Sequence, residues 1–113
     1  MTHFLISFPS AAMVVSDKDF PDVVRDAHAV IQEAKDAGVY VFGGGIDDGV
    51  APVLVAGDGT VTEGTHPQGA HLDGGYTILD LPSREAALEW ARKIAAACRC
   101  PQEVRAFQYD PLA

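Results

Sequence analysis

The sequence predicts an α+β domain in which two helices lie against one sheet. Two amphipathic stripes carry the helices: Val23, Val24, Ala27, Val30, Ile31, Ala34 and Ala37 in the first, and Ala87, Trp90, Ala91, Ile94 and Cys98 in the second. Each is flanked by short runs of strand type. The order that results is β-α-β, a small hairpin, then β-α-β. Four main strands and two helices match the ferredoxin-like split βαβ plan.

The first strand is read from Phe4, Ile6 and Phe8 alternating with His3, Leu5 and Ser7, and Pro9-Ser10 ends it. Residues 11–16 extend it or form a surface loop. Asp19 is the expected N-cap of the first helix, with Pro21 and Asp22 in its first turn and Gly38 just past its end. The second strand, 39–42, is apolar on both faces and runs into Gly43-Gly44-Gly45. Residues 52–56 and 60–63 read as a hairpin about Gly57-Asp58-Gly59. Strand 76–80 follows, then a helix capped by Ser83 and stopping near Arg99, before Pro101. The last strand is 103–107, and 109–113 is a tail that packs or frays.

Two helices on one face leave the other face of the sheet open, and it also carries apolar groups: Tyr40 or Val41, Ile78 or Leu79, and Phe107. Such a face stays polar unless something covers it. A second copy of the chain is the economical cover, so a homodimer is expected. The rival cover is the inserted hairpin.

At 113 residues, 48% apolar and 21% charged, the chain is one folded domain, 1–113. The net charge of −8 argues against a nucleic-acid partner, since no phosphate contacts would release counterions. Acids dominate up to Asp80, and the helix beyond it carries Arg84, Arg92 and Lys93, which read as solvated surface. No apolar run approaches the roughly 18 residues of a membrane span. The opening Met1-Thr2-His3-Phe4-Leu5-Ile6-Ser7 has no basic region of a secretory signal, so a cytoplasmic protein is expected. Cys98 and Cys100 are too close for an unstrained disulfide and match no zinc knuckle; Cys98 is expected buried and Cys100 exposed.

The helix ending in Ala37-Gly38, the strand into Gly43-Gly44-Gly45 and the block Gly74-Gly75-Tyr76-Thr77-Ile78-Leu79-Asp80 recur in a fixed order. Ser83-Arg84-Glu85-Ala86-Ala87-Leu88-Glu89-Trp90-Ala91 and Glu103-Val104-Arg105-Ala106 follow them. Over nearly the whole chain this set resembles the YCII-related family, in its DGPF-type branch. The resemblance implies a dimeric α+β barrel, in which two ferredoxin-like sheets face one another. For more distant YCII-like relatives it implies a His–Asp pair in a cleft, and for some relatives an association with extracytoplasmic-function sigma factors. The family's hallmark run Asp-Gly-Pro-Phe-Ala-Glu-Thr-Lys-Glu is replaced here by Glu63-Gly64-Thr65-His66-Pro67-Gln68-Gly69-Ala70-His71. Only Gly64 is kept, with Glu63 a loose substitute for the aspartate, so a function resting on those charges does not carry over.

His28 is the leading candidate for chemistry. It lies on the shoulder of the first helix's apolar stripe, and Arg25-x-x-His28 resembles the helix histidine of YCII-like proteins. A neutral imidazole serves as base or hydrogen-bond partner; the plainer alternative is a solvated helix histidine. Asp73 is the matching carboxylate, placed before two glycines where backbone can approach a ligand. Its plainer alternative is a turn aspartate bonded to nearby backbone. Arg25, Glu63, His66, His71 and Tyr76 are further candidates for a cleft or loop. Glu63, His66, His71 and Asp73 supply metal-type ligands at no standard spacing, so no metal or cofactor is predicted. Gly43-Gly44-Gly45 opens no helix and is not a nucleotide fingerprint. The expected activity is binding of a small polar or aromatic metabolite, with proton transfer by His28 oriented by Asp73 if the protein is an enzyme. The alternative is a noncatalytic regulatory or interaction module that uses 63–71 for recognition.

Overall fold

A computed structural model describes residues 1–69 and 72–113. The elements are β1 (Thr2–Phe8), α1 (Phe20–Asp36), β2 (Tyr40–Gly45), β3 (Val53–Val55), β4 (Val61–Glu63), β5 (Gly75–Leu81), α2 (Arg84–Cys98) and β6 (Glu103–Ala106). Residues 11–16 do not extend β1; a single 3-10 turn, Ser10–Ala12, ends it. The main sheet has the order β2-β5-β1-β6 with every neighbour antiparallel, and β3 and β4 pair only with each other.

Strand register decides which side chains form the core. Phe4 lies opposite Leu79 and Ala106, and Ile6 opposite Thr77 and Val104. Phe4, Ile6, Leu79 and Leu81 are buried against Ala34 of α1 and Ala87, Ala91, Ile94 and Cys98 of α2. Alanines at the helical contacts let both helices come close to one sheet face. Cys100, expected exposed, is also buried in this cluster, and both thiols are free. Burial raises the pKa of each, since a thiolate would lose its hydration.

The helix ends follow their local chemistry. Ser83 caps α2 by accepting the Ala86 N–H at 3.1 Å. Asp19 stands at the start of α1 but makes no cap bond; its carboxylate accepts from the Ser16 hydroxyl at 3.0 Å instead. Gly38, at φ +73°, lets the chain turn out of α1. Arg99 takes the equivalent left-handed position after α2 (φ 62°), without glycine's freedom. Its guanidinium donates to the Ala96 and Ala97 carbonyls and reaches Asp26 Oδ2 on α1 at 2.8 Å. One side chain therefore closes α2 and ties it to α1.

The barrel implied by the family resemblance is not formed. The fold is α+β with two sheets; the main one is open, with β2 and β6 as its edges, and the β3–β4 ladder is separate. Val41, Ile78 and Phe107 do lie on the face away from the helices, but apolar groups there do not close the sheet, whose edges β2 and β6 pair with no further strand among the described residues. The face away from the helices sets His3 opposite Asp80, Leu5 opposite Ile78 and Arg105, and Ser7 opposite Tyr76 and Glu103. That mixture suits a sheet with one solvated face. A register shift in β2 between Tyr40 and Phe42 adds to the effect. It leaves Tyr40 packed on the core while Phe42 emerges 63% exposed. The hairpin is not a cover either, since Val53, Val55 and Val61 are themselves exposed. Among the described residues, no helix is long and apolar enough to cross a membrane.

Candidate functional site

The glycine-marked ends of β2 and β5 meet the end of β1, and the contact is tight. Gly74 has φ +84°, and a Cβ there would sit 2.0 Å from the Phe8 carbonyl oxygen. A Cβ at Gly75 would enter the Phe8 ring at 2.5 Å. Asp73, just before them, accepts the Ser10 N–H on Oδ1 at 3.0 Å and the Ser10 hydroxyl on Oδ2 at 2.6 Å. The run Asp73-Gly74-Gly75 thus docks on Phe8-Pro9-Ser10.

Beside this junction lies a cavity of about 260 Å³ between α1 and the sheet. Gly45 lies opposite Gly75, which pairs with Phe8 on the helix-facing side, so two absent side chains open the space at this edge. Phe8, Met13, Phe20, Val23 and Ile94 make the wall mostly apolar. His28 lines it from α1 and Thr77 from the helix-facing side of β5, while Tyr76 borders it at a strand position that faces the other way. His28 is exposed, which puts it on the solvent side of the cavity. Cys98 lines the inner wall as a buried thiol, a poor nucleophile in this setting.

Of the residues singled out from the sequence, His28 lines this cavity, and Tyr76 borders it from a position that faces the open side of the sheet. Asp73 serves the adjoining junction through Ser10. Arg25 is engaged on the exposed side of α1, with its guanidinium on Asp22 and Asp26 at 3.2 Å each. Glu63 ends β4, and His66 begins a turn closed by the Gly69 N–H donating to its carbonyl at 3.3 Å. His71 lies outside the described residues. No cluster of three metal-ligating side chains occurs among the described residues.

A second cavity, of about 460 Å³, lies on the open face of the main sheet. His3, Val41, Ile78 and Phe107 line it, with Tyr109 and Asp110 from the tail. His3 Nδ1 faces Asp80 Oδ1 at 3.6 Å, just beyond hydrogen-bond length. Both side chains are partly exposed, 51% and 37%, but Asp80 Oδ1 is itself closed off from solvent and accepts no hydrogen bond among the described residues. In the sequence both residues stand only as positions in alternating strand runs. Only the β1–β5 register makes them a pair, and they are 77 positions apart by number.

The chain matches no family model, and no curated protein is similar to it.

Proposed function

We propose that the protein binds a small molecule with a single-ring apolar or aromatic body in the cavity between α1 and the sheet. His28 is its hydrogen-bonding or proton-transferring partner. The observation that carries this reading is the convergence of His28 and Thr77, from separate elements, on one otherwise apolar cavity. Few polar groups in an apolar wall are what orients a ligand. The resemblance of Arg25-x-x-His28 to the helix histidine of YCII-like proteins points to the same acid–base group. Asp73 contributes by holding the glycine edge of the cavity through Ser10. Lyase, isomerase and hydrolytic proton-transfer chemistries all fit a single imidazole at the mouth of such a site.

Gly45 provides the test. Its backbone has no positive φ, and a Cβ there meets only the Gly74 carbonyl oxygen at 3.7 Å. Gly45→Val therefore fills the cavity without strain at the backbone. Phenol is titrated into the isotope-labelled protein. The expected result is amide shifts at Gly44, Gly75 and Thr77 and a response of the His28 ring, all lost in Gly45→Val. Shifts confined to other parts of the chain, or unaltered binding by the variant, overturn the proposal.

The interaction reading has one observation behind it: the valines of the β3–β4 hairpin are exposed next to the 63–71 segment. It predicts that Val55→Lys and Val61→Lys change association of the protein while leaving phenol binding intact. Unchanged association in both variants removes it.

A further inference from the structure

We infer that Thr77 sets the orientation and the specificity of a ligand in the cavity between α1 and the sheet. That ligand is an uncharged ring with one small oxygen group, a hydroxyl or a carbonyl, at its buried end. The inference rests on the proposal that this cavity binds a small molecule, and it adds what the inner end of that molecule must carry.

Strand register places the side chain. Thr77 lies opposite Ile6 of β1 and Gly43 of β2. Cross-strand partners share a face, and Ile6 is buried in the core against the helices, so Thr77 faces the helices too. Gly43 has no side chain to cover the hydroxyl from the β2 side. Thr77 is half-buried and lines the cavity, and its hydroxyl makes no hydrogen bond among the described residues. Nor is that hydroxyl sealed from water; the unpartnered side-chain oxygens that are sealed belong to Asp80 and Gln102.

The rest of the wall sets the ligand's charge. No lysine, arginine, aspartate or glutamate lines the cavity, and His28 stands on its exposed side. A charged group carried to the inner end would lose its hydration with no counter-charge to meet it. The Cys98 thiol is a weak donor. The backbone groups of β2 and β5 lie in the plane of the sheet, along the ladder, and not out into the cavity. A threonine hydroxyl both donates and accepts, so it serves a ligand hydroxyl or carbonyl alike. In an apolar setting such a bond discriminates strongly, because a ligand oxygen left unpaired there loses its hydration without return. Thr77 on the sheet side and His28 on the solvent side then hold the ring at its two ends.

The test uses phenol and toluene, which share a shape and differ in the end group. Each is titrated into the labelled protein, with affinities taken from amide shifts. The parent is compared with Thr77→Val, which keeps the β-branched shape and removes the hydroxyl. Phenol is expected to bind about tenfold more weakly to Thr77→Val, while toluene stays within about twofold of the parent. Thr77→Ser should keep phenol binding and Thr77→Ala should lose it. Those two differ by the hydroxyl alone and decide the matter should the valine variant fail to fold. Tyr40 holds another hydroxyl on this face, 3.2 Å from the position of a Gly43 Cβ but outside the cavity wall, so Tyr40→Phe should leave phenol binding unchanged. Phenol binding that survives loss of the Thr77 hydroxyl overturns the inference. So do equal losses for phenol and toluene, and a loss in Tyr40→Phe in place of Thr77→Val. Gly45→Val tells the two levels apart. If it abolishes binding of both probes while Thr77→Val leaves phenol unaffected, the cavity is the binding site and only the role of Thr77 falls. If neither probe binds the parent, both readings fall.

Discussion

Asp73 closes on Ser10 with both carboxylate oxygens, one on the backbone N–H at 3.0 Å and the other on the hydroxyl at 2.6 Å. The two residues belong to distant parts of the sequence, and the bond joins the exit of β1 to the entry of β5, its partner strand. A carboxylate accepting two donors from one residue fixes the chain direction there as well as its distance.

Removal of this carboxylate should cost stability whether or not a ligand is present. Asp73→Ala leaves the Ser10 N–H and hydroxyl without their acceptor, a loss of about 1–3 kcal/mol for bonds to a charged group. Ser10→Ala removes only the hydroxyl and should cost less. A double-mutant cycle by urea unfolding should give a coupling of at least about 0.5 kcal/mol. Additive effects would show that Asp73 acts elsewhere. If Asp73→Ala alters ligand affinity without altering unfolding, its place is in the chemistry and not in the junction.

The glycines beside it divide into required and permissive positions. Gly74→Ala places a methyl 2.0 Å from the Phe8 carbonyl oxygen at a positive φ, so backbone must move. A loss of about 3 kcal/mol or more is expected, at the upper end of single substitutions. Gly45→Ala meets only ordinary contact and should stay within about 1 kcal/mol of the parent. Chemical denaturation of the two variants side by side checks both values. Equal losses would mean that the β5 entry relaxes around the added methyl.

The helices and main strands were legible because stripe and alternation are local. Val23 through Ala34, and Phe4 with Ile6, declare their buried side by spacing alone. The faces of β2 were less legible, since a register shift between Tyr40 and Phe42 reverses the alternation and no residue type announces it. For the sites, His28 stood out by type and placement. His3 and Asp80 did not, because a cross-strand pair exists only once the strand order and register are known. Arg99 was visible as a helix stop, but its reach to Asp26 depends on how α1 and α2 lie side by side.

That Arg99 contact makes stability pH-dependent. The Arg99 guanidinium beside Asp26, with Arg25 adding to it, holds the Asp26 carboxyl below its ordinary value of 3.8. A carboxyl depressed in the folded state binds fewer protons there than in the unfolded chain. Its contribution is present above the unfolded pKa and is lost as pH falls through the folded one. Arg99→Gly removes the ion pair but relieves a left-handed position that glycine adopts freely. At neutral pH the two changes oppose each other. As pH is lowered through the aspartate range both proteins lose the Asp26–Arg25 pair, and the parent alone also loses the Asp26–Arg99 pair. The stability of Arg99→Gly relative to the parent should therefore rise on acidification. Thermal unfolding of both proteins across that range reads the difference directly. A constant gap, or one that moves against the variant in acid, would show that the Asp26–Arg99 pair does not contribute to holding α1 against α2.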